Sequence, residues 1–275
     1  MKISIVVPLY NEEENLPITY DRLRRLAEYE WEAIFIDDGS TDKGYEVLKE
    51  IAAQDSRVKI LKLRKNYGQT AAMAAGFDYA TGDIVVPIDA DLQNDPADIP
   101  KIIAKMNEGY DVVSGWRQNR WKDKFVSRRL PSTIANWLIS KTTGVYLHDY
   151  GCPLKAYRKE ILQHVKLYGE MHRFIPAFAV WHGARVAEIV VADYPRKFGK
   201  TKYGFSRTFR VLLDLITVKF LIGYSTKPMH FFGKVATVSF VLSCISGLLA
   251  LYFKIADGTS FILTPLPLLT ALFLI

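Results

Sequence analysis

Cysteine is nearly missing from this chain: Cys152 and Cys244 are its only two thiols in 275 residues. One lies in a polar loop and the other in an apolar run. Neither a disulfide framework nor a thiolate metal site follows, and a reducing compartment fits. Glycine-rich phosphate motifs are missing as well. No G-x-G-x-x-G follows the first apolar run and no G-x-x-x-x-G-K-S/T occurs, so dinucleotide-fold and P-loop readings lose their main support. A secretory signal is not expected, because residues 3–9 are of strand length and lead straight into Glu12, Glu13 and Glu14. Acidic charge is the scarcer sign, with 29 Asp and Glu against 36 Lys and Arg and a net charge of +7. An isoelectric point near 9.2 suggests an anionic partner: nucleic acid, a phosphorylated substrate or a lipid headgroup.

Apolar residues, by contrast, are plentiful. They make up 49% of the chain, the mean hydropathy is +0.04, and the excess lies at the C-terminal end. Residues 235–253 form a stretch of 19 without a charge, bracketed by Lys234 and Lys254. At about 1.5 Å per residue such a helix reaches about 28 Å, close to the hydrocarbon thickness of a bilayer. A transmembrane helix is therefore expected over 235–253. Residues 261–275 read as the truncated start of a second span, interrupted by Pro265 and Pro267. Between Arg196 and Lys234 lie nine Lys and Arg against Asp214 alone. The positive-inside rule then puts the N-terminal domain in the cytoplasm of a multi-pass protein of the inner (cytoplasmic) membrane.

Residues 1–110 alternate strand and helix. Apolar strand candidates are 3–9, 33–36, 58–63, 84–88 and 111–114. Leu16, Tyr20, Leu23 and Leu26 share one helical face, and Ile99, Ile102, Ile103 and Met106 another. This alternation argues for an α/β domain with a mostly parallel sheet and helices on both faces. Ligands bind such sheets at the carboxyl ends of strands. Polar clusters fall at those ends: Tyr10-Asn11-Glu12, Asp37-Asp38-Gly39-Ser40, Asn66-Tyr67-Gly68 and Asp89-Ala90-Asp91. One composite site explains them better than four unrelated loops.

The sharpest of these clusters closes the run IVVPIDADLQNDP at 84–96. A buried strand has no packing reason to end on Asp89 and Asp91, because closely spaced like charges repel unless a cation lies between them. Oxygen ligands at that spacing, with Gln93 just beyond, suit a hard divalent ion that also takes substrate phosphates. An Asp-rich turn capping the next helix, with Asp95 as N-cap and Pro96 at the first position, explains Asp95 but leaves Asp89 and Asp91 unaccounted for. The Asp37-Asp38-Gly39-Ser40 cluster is also compatible with an ordinary turn into a helix, with Ser40 or Thr41 as cap. Beside the metal pair it reads better as a carboxylate that accepts hydrogen bonds from a base or ribose.

Residues 116–141 interleave Arg117, Arg120, Lys122, Lys124, Arg128, Arg129 and Lys141 with Trp116, Trp121 and Trp137. Nucleic acid and an anionic membrane surface both suit that pattern. The adjacent apolar span favours lipid, and no nucleic-acid partner is expected. Over 207–222, Phe209, Leu212, Leu213, Ile216 and Phe220 form an apolar stripe opposite Arg207, Arg210, Asp214 and Thr217. This reads as an amphipathic helix in the membrane interface, or as a terminal helix packed on the core. The expected domains are 1–205 catalytic, 206–232 juxtamembrane and 233–275 membrane anchor.

Five motifs carry a family resemblance: VVPLYNEEENL from Val6, FIDDGSTD from Phe35, KNYGQTAAMAAGF from Lys65, DADLQNDP from Asp89 and RKFGKTKY from Arg196. Together they resemble the family 2, GT-A-fold glycosyltransferases, in particular the polyprenyl-phosphate branch that includes dolichyl-phosphate mannose synthases and bactoprenol glucosyltransferases. Residues 108–120 and 142–158 are most similar to the undecaprenyl-phosphate formamido-arabinose transferases. The resemblance implies a GT-A nucleotide-sugar-binding domain followed by interfacial and transmembrane helices. It implies inverting transfer of a sugar from a UDP- or GDP-sugar to a polyprenyl phosphate. By the family pattern Pro8, Tyr10, Asn11, Glu12, Asp37 and Asp38, with Asn66 and Gly68, would hold the nucleotide sugar. Asp89, Asp91 and Gln93 would hold Mg2+ or Mn2+. Arg117, Arg128, Arg129, Ser132, Arg196 and Lys202 would hold the acceptor phosphate.

The chemistry agrees with those roles. A divalent ion neutralises charge developing on the leaving nucleoside diphosphate. The nucleophile is a phosphate oxygen, already anionic near neutral pH. It needs positioning and less repulsion, which arginines supply, and no deprotonation. Asp149 stands where related transferases carry an acid proposed as base; here it reads rather as a partner for a sugar hydroxyl or an arginine. Two departures from the family stand out: the chain stops inside the second span, and Lys200 occupies a position that is often acidic or neutral. Assembly of copies through the membrane helices is left open. Rival readings are a processive polysaccharide synthase, a transferase acting on lipopolysaccharide or another glycan, and a non-catalytic membrane scaffold. The first would need Gln-x-x-Arg-Trp, and Gln118-Asn119-Arg120-Trp121 is one residue short.

Overall fold

The run KISIVVPL forms strand β1 (Lys2–Leu9), buried from its second residue to its last. The computed structural model to which it belongs describes residues 1–118, 120, 130–163, 165, 167, 169–198 and 206–256. These form two units, Met1–Val218 and Lys219–Ile275. In the first, β1 is joined by β2 (Glu30–Asp37), β3 (Val58–Lys62), β4 (Ile84–Pro87), β5 (Val112–Trp116), β6 (Lys155–Arg158) and β7 (Val186–Val190) in one sheet of order β3-β2-β1-β4-β6-β5-β7. β1 runs parallel to β2 and β4, β2 to β3, and β5 to β7, while β6 lies antiparallel between β4 and β5. The carboxyl ends of six strands and the start of β6 therefore meet at one edge.

Continuous apolar strands need cover on both faces. Helices α1 (Leu16–Arg24), α2 (Gly44–Gln54), α3 (Gln69–Tyr79), α4 (Ile99–Asn107), α5 (Leu130–Thr143), α6 (Lys159–Leu162) and α7 (Ile175–Trp181) follow in chain order. On one face Ile3, Ile5 and Val7 pack with Leu16, Leu23 and Leu26, with Leu48 of α2, and with Ile99, Ile102, Ile103 and Met106 of α4. On the other, Val6, Ile34, Ile36 and Val85 pack with Ala72, Met73 and Phe77 of α3 and with Ile175 and Ala179 of α7. Each of the larger side chains, Val, Leu, Ile, Met or Phe, contributes about 1.5–3 kcal/mol by leaving water. Helix α3 lies close on the sheet at Gly76, where a Cβ would come within 2.5 Å of Val6 Cγ1 and 2.8 Å of Ile36 Cδ1.

The five strands expected from apolar runs are present with shifted ends, and β6 and β7 are additions. Two of the four residues of β6 are basic, which hid it. The Lys155 ammonium is buried there and donates to the carbonyl oxygens of Tyr150, at 3.2 Å, and of Cys152. Burial pulls its pKa below the ordinary lysine value.

The amphipathic stretch at 207–222 falls in helix α8 (Ser206–Tyr224), within which the boundary between the two units lies. In the second unit, α9 (Pro228–Ala256) is a 29-residue helix whose apolar window has a mean hydropathy of 2.0, long and apolar enough to cross a membrane, with 11% of that window buried. It contains the expected span 235–253 and extends beyond it at both ends. Phe231 packs on Phe220 and Tyr224, with ring centroids 5.3 and 5.4 Å apart, where α8 turns into α9. The expected second span, 261–275, lies outside the described residues.

Candidate active site

Strand β2 ends on two buried carboxylates with different duties. Asp38 accepts the backbone N–H groups of Tyr67 and Gly68, both at 2.8 Å, and so ties the end of β2 to the loop before α3. Burial pushes its carboxyl above the ordinary range, against the pull of those two bonds. Asp37 Oδ1 accepts the Ser40 N–H at 2.8 Å, whereas Asp37 Oδ2 is buried with no hydrogen-bond partner among the described residues. Asn11 clasps the same turn: its N–H donates to Ser40 Oγ at 2.9 Å and its Oδ1 accepts the Thr41 N–H at 2.8 Å. Its φ of 53° is a left-handed conformation that asparagine tolerates well. Pro8 is buried at the end of β1, Tyr10 is half-buried after it, Asn66 is exposed, and Gly68 precedes α3 with a φ of 94°.

The loop after β4 carries the second acid pair. Asp89 Oδ1 accepts a hydrogen bond from Gln69 Nε2 at 2.7 Å. Asp91 Oδ1 accepts the Gln93 N–H at 3.1 Å, and Asp91 Oδ2 meets Arg196 Nη2 at 2.9 Å. Arg196 also reaches Glu12, at 3.6 Å. The arginine expected on the acceptor phosphate thus bridges Glu12, expected on the nucleotide, and Asp91, expected on the metal. Between Asp91 and Gln93, Leu92 takes a φ of 63°, a conformation that costs a bulky residue about 1–3 kcal/mol and clusters at functional loops. Asp95 caps the following turn, its Oδ1 accepting the Ala97 N–H at 3.0 Å. Among the described residues no three His, Cys, Asp or Glu side chains gather into a metal cage. The oxygen donors of Asp89, Asp91 and Gln93 fit a hard ion that completes its shell with phosphate oxygens.

Beyond β5 lies a buried ion pair. Arg117 Nε and Nη2 meet Asp149 Oδ2 and Oδ1 at 2.7 and 3.0 Å, and the Gly151 N–H adds a third bond at 3.0 Å. Burial alone would raise the Asp149 carboxyl, but the Arg117 guanidinium outweighs it and holds it below the ordinary range. Burial and the neighbouring Arg117 lower Arg120. Glu188 of β7 steadies this corner by accepting the Asp149 N–H at 3.1 Å and pairing with His148 Nδ1 at 2.7 Å. Ser132 is half-buried on α5. Arg128, Arg129, Lys200 and Lys202 lie outside the described residues.

The segment after β7 joins the two halves. Ala192 N–H donates to Asp98 Oδ2 at 2.7 Å and Tyr194 N–H to the Gln93 carbonyl at 2.9 Å. Asp193, between them, escaped the sequence reading, which began its motif at Arg196. Burial raises the Asp193 carboxyl; Arg117 and Arg120 pull it down, while Asp149 and Asp91 push it up. Glu188, Lys155 and Asp98 were missed with it.

A mostly parallel seven-stranded sheet with acid pairs at the ends of β2 and β4 defines a catalytic domain of the GT-A fold. Among solved structures it is similar to glucosyl-3-phosphoglycerate synthase from Mycobacterium tuberculosis, determined with Mn2+, UDP and phosphoglyceric acid. The TM-score is 0.60 at 20% identity, over 81% of this chain and 78% of that one. Residues 4–166 match the family described as Glycosyl transferase family 2. The chain is 44% identical to dodecaprenyl-phosphate galacturonate synthase of Rhizobium johnstonii, over 92% of its length and 75% of the relative's. It is 39% identical to undecaprenyl-phosphate 4-deoxy-4-formamido-L-arabinose transferase of Klebsiella pneumoniae subsp. pneumoniae, over 94% and 78%. The chain belongs to glycosyl transferase family 2 and is a glycosyltransferase.

Proposed function

We propose that this glycosyltransferase moves a sugar from a nucleotide sugar to a polyprenyl phosphate, with inversion, at the cytoplasmic face of a membrane. The observation that carries the reading is the placement of two acid pairs and a buried arginine–aspartate pair on one sheet edge. Curated relatives at 44% and 39% identity, both named for polyprenyl phosphates, support the acceptor.

Asp37 offers its unpartnered Oδ2 to an N–H of the base, since a buried acceptor needs a donor. Asp38 and Asn11 hold the surrounding turns in shape. Asp89, Asp91 and Gln93 would hold Mg2+ or Mn2+, which supplies positive charge to the leaving diphosphate. Arg196, with Ser132 and the sequence-assigned Arg128, Arg129 and Lys202, would place the acceptor phosphate. One of its oxygens attacks the anomeric carbon as the bond to the nucleoside diphosphate breaks, and the electron pair leaves with the diphosphate. No proton has to be removed.

Asp149 is badly placed to act as a base, because both its oxygens are engaged by Arg117 and its carboxyl lies below the ordinary range. It orients Arg117, whose contribution is a fixed buried positive charge near the acceptor. Helix α9 anchors the enzyme, and the nine basic residues between Arg196 and Lys234 set its orientation.

The test is transfer of radiolabel from a panel of UDP- and GDP-sugars to undecaprenyl phosphate, with and without Mn2+. Label in an organic-extractable, acid-labile product is expected. Label in a polymer or glycan, with no lipid product from any donor, overturns the reading.

A further inference from the structure

Asp193 has no part in the mechanism above, yet it lies where the two halves of the site meet. On one side the Val191 N–H donates to the Trp116 carbonyl at 3.0 Å, next to Arg117. On the other, Asn94 Nδ2 donates to the Ala192 carbonyl at 3.4 Å, and Arg196 grips Asp91 at 2.9 Å. With the Ala192–Asp98 and Tyr194–Gln93 bonds, these contacts pin the backbone on both sides of Asp193. Its position is therefore set without help from its own side chain.

That side chain is buried at Oδ1 and finds no hydrogen-bond donor there among the described residues. A buried acceptor without a donor weakens the fold, and a carboxylate is the least economical group to leave in that state. The missing donor fits a ligand better than a defect. A phosphate does not suit, since its oxygens bring the carboxylate further acceptors and negative charge instead of a donor. A neutral O–H or N–H does. In the proposed transfer, the group lying between a diphosphate at Asp91 and an acceptor phosphate near Arg117 is the sugar itself.

We propose that Asp193 is a donor-sugar specificity residue whose Oδ1 accepts a hydrogen bond from a hydroxyl or amide N–H of the sugar being transferred. The inference rests on the nucleotide-sugar reading and sharpens it. An acid at this position also selects against a sugar that turns a carboxylate toward it.

The experiment uses the full chain in lipid nanodiscs with Mn2+. Wild type, Asp193→Ala and Asp193→Asn are titrated with UDP, UDP-glucose, UDP-N-acetylglucosamine and UDP-galacturonate, and in parallel with GDP and GDP-mannose. Affinity for the bare nucleotide should change less than twofold in both variants. Affinity for the neutral nucleotide sugar that wild type prefers should fall at least tenfold in Asp193→Ala. The preference for the uronate over that sugar should rise in both variants, because both remove the charge. Neither variant should melt below wild type, since Oδ1 makes no bond to lose.

A parallel fall for nucleotide and nucleotide sugar, or a lowered melting temperature with unchanged sugar discrimination, would show a structural role and overturn the proposal. Wild-type preference for the uronate, or no sugar bound more tightly than its bare nucleotide, overturns it too. Intact discrimination through Asp193 without any polyprenyl product would sink the acceptor reading alone.

Discussion

Strand β2 carries a buried acid at each end, and the two are handled in opposite ways. At the amino end Glu32 is saturated: Ser4 Oγ donates to it at 2.6 Å, the Thr81 N–H and Oγ1 each at 2.7 Å, and Lys59 Nζ at 2.7 Å. Burial alone would raise its carboxyl, but these donors hold it far below the ordinary glutamate value. At the carboxyl end Asp37 keeps an oxygen with no partner, and across the same edge so does Asp193. A buried polar group in a folded chain is normally satisfied. The contrast within a single strand separates an acid that completes the fold from acids with an oxygen to spare, which the proposed function gives to a ligand.

The largest effect expected is at Asp91, whose two engaged oxygens the proposed function gives to a metal ion. Asp91→Ala should lower metal-dependent transfer at least about 10³-fold, or about 4 kcal/mol of transition-state stabilisation. Its melting temperature should fall by less than that of Asp149→Ala, because the bonds from Arg196 and the Gln93 N–H go with the carboxylate. Asp149 belongs on the satisfied side. Asp149→Ala should cost about 3 kcal/mol in chemical unfolding of the purified chain by stranding the buried Arg117. Asp149→Asn should retain measurable transfer. Equal total loss of transfer in Asp149→Asn and Asp91→Ala would make Asp149 a reacting group and break the comparison at that point.

Glu32→Gln should cost about 2 kcal/mol, since an amide accepts fewer and weaker bonds from the same donors. The pH dependence follows from the direction of its shift. A carboxylate whose folded pKa is depressed stabilises the fold above its unfolded pKa, about 4.3, and loses that contribution as pH falls. Wild type should therefore lose melting temperature between about pH 5 and pH 3 more steeply than Glu32→Gln. Parallel slopes would mean that Glu32 is not the linked group.

Much of this arrangement was legible in the chain because carboxylates interrupt apolar runs. Asp37-Asp38 and Asp89/Asp91 each close a strand of β-branched residues, and their place at the sheet edge follows from the alternation of strands and helices. Strand β6 was hidden because two of its four residues are basic, and the buried Lys155 is satisfied by carbonyl oxygens of the turn just before it, those of Tyr150 and Cys152. The two roles of Arg196, on Asp91 and on Glu12, depend on the close approach of residues far apart in sequence. For the same reason Asp193 carried no signal. Its meaning comes from lying between Trp116 and Gln93, and no local spacing encodes that neighbourhood. Which carboxylate oxygens are satisfied is likewise a property of the assembled edge.

The smallest expected effect gives the finest test of the divide, and it falls on Asp37. Asp37→Asn can keep the bond from the Ser40 N–H through its remaining oxygen, while an NH2 replaces the unpartnered Oδ2. Folding should hardly notice, because no bond to that atom is lost. A base N–H facing the same spot would meet a second donor and lose its acceptor. UDP and GDP both carry such an N–H, and whichever of them the wild-type chain binds should bind about tenfold more weakly, a loss of about 1.4 kcal/mol. Calorimetry on the variant would read the affinity and thermal melting the stability. Weaker binding at an unchanged melting temperature sets Asp37 apart from Glu32 on the same strand. A melting temperature lowered as far as in Glu32→Gln, with nucleotide affinity intact, would move Asp37 to the satisfied class and leave Asp193 alone on the other side.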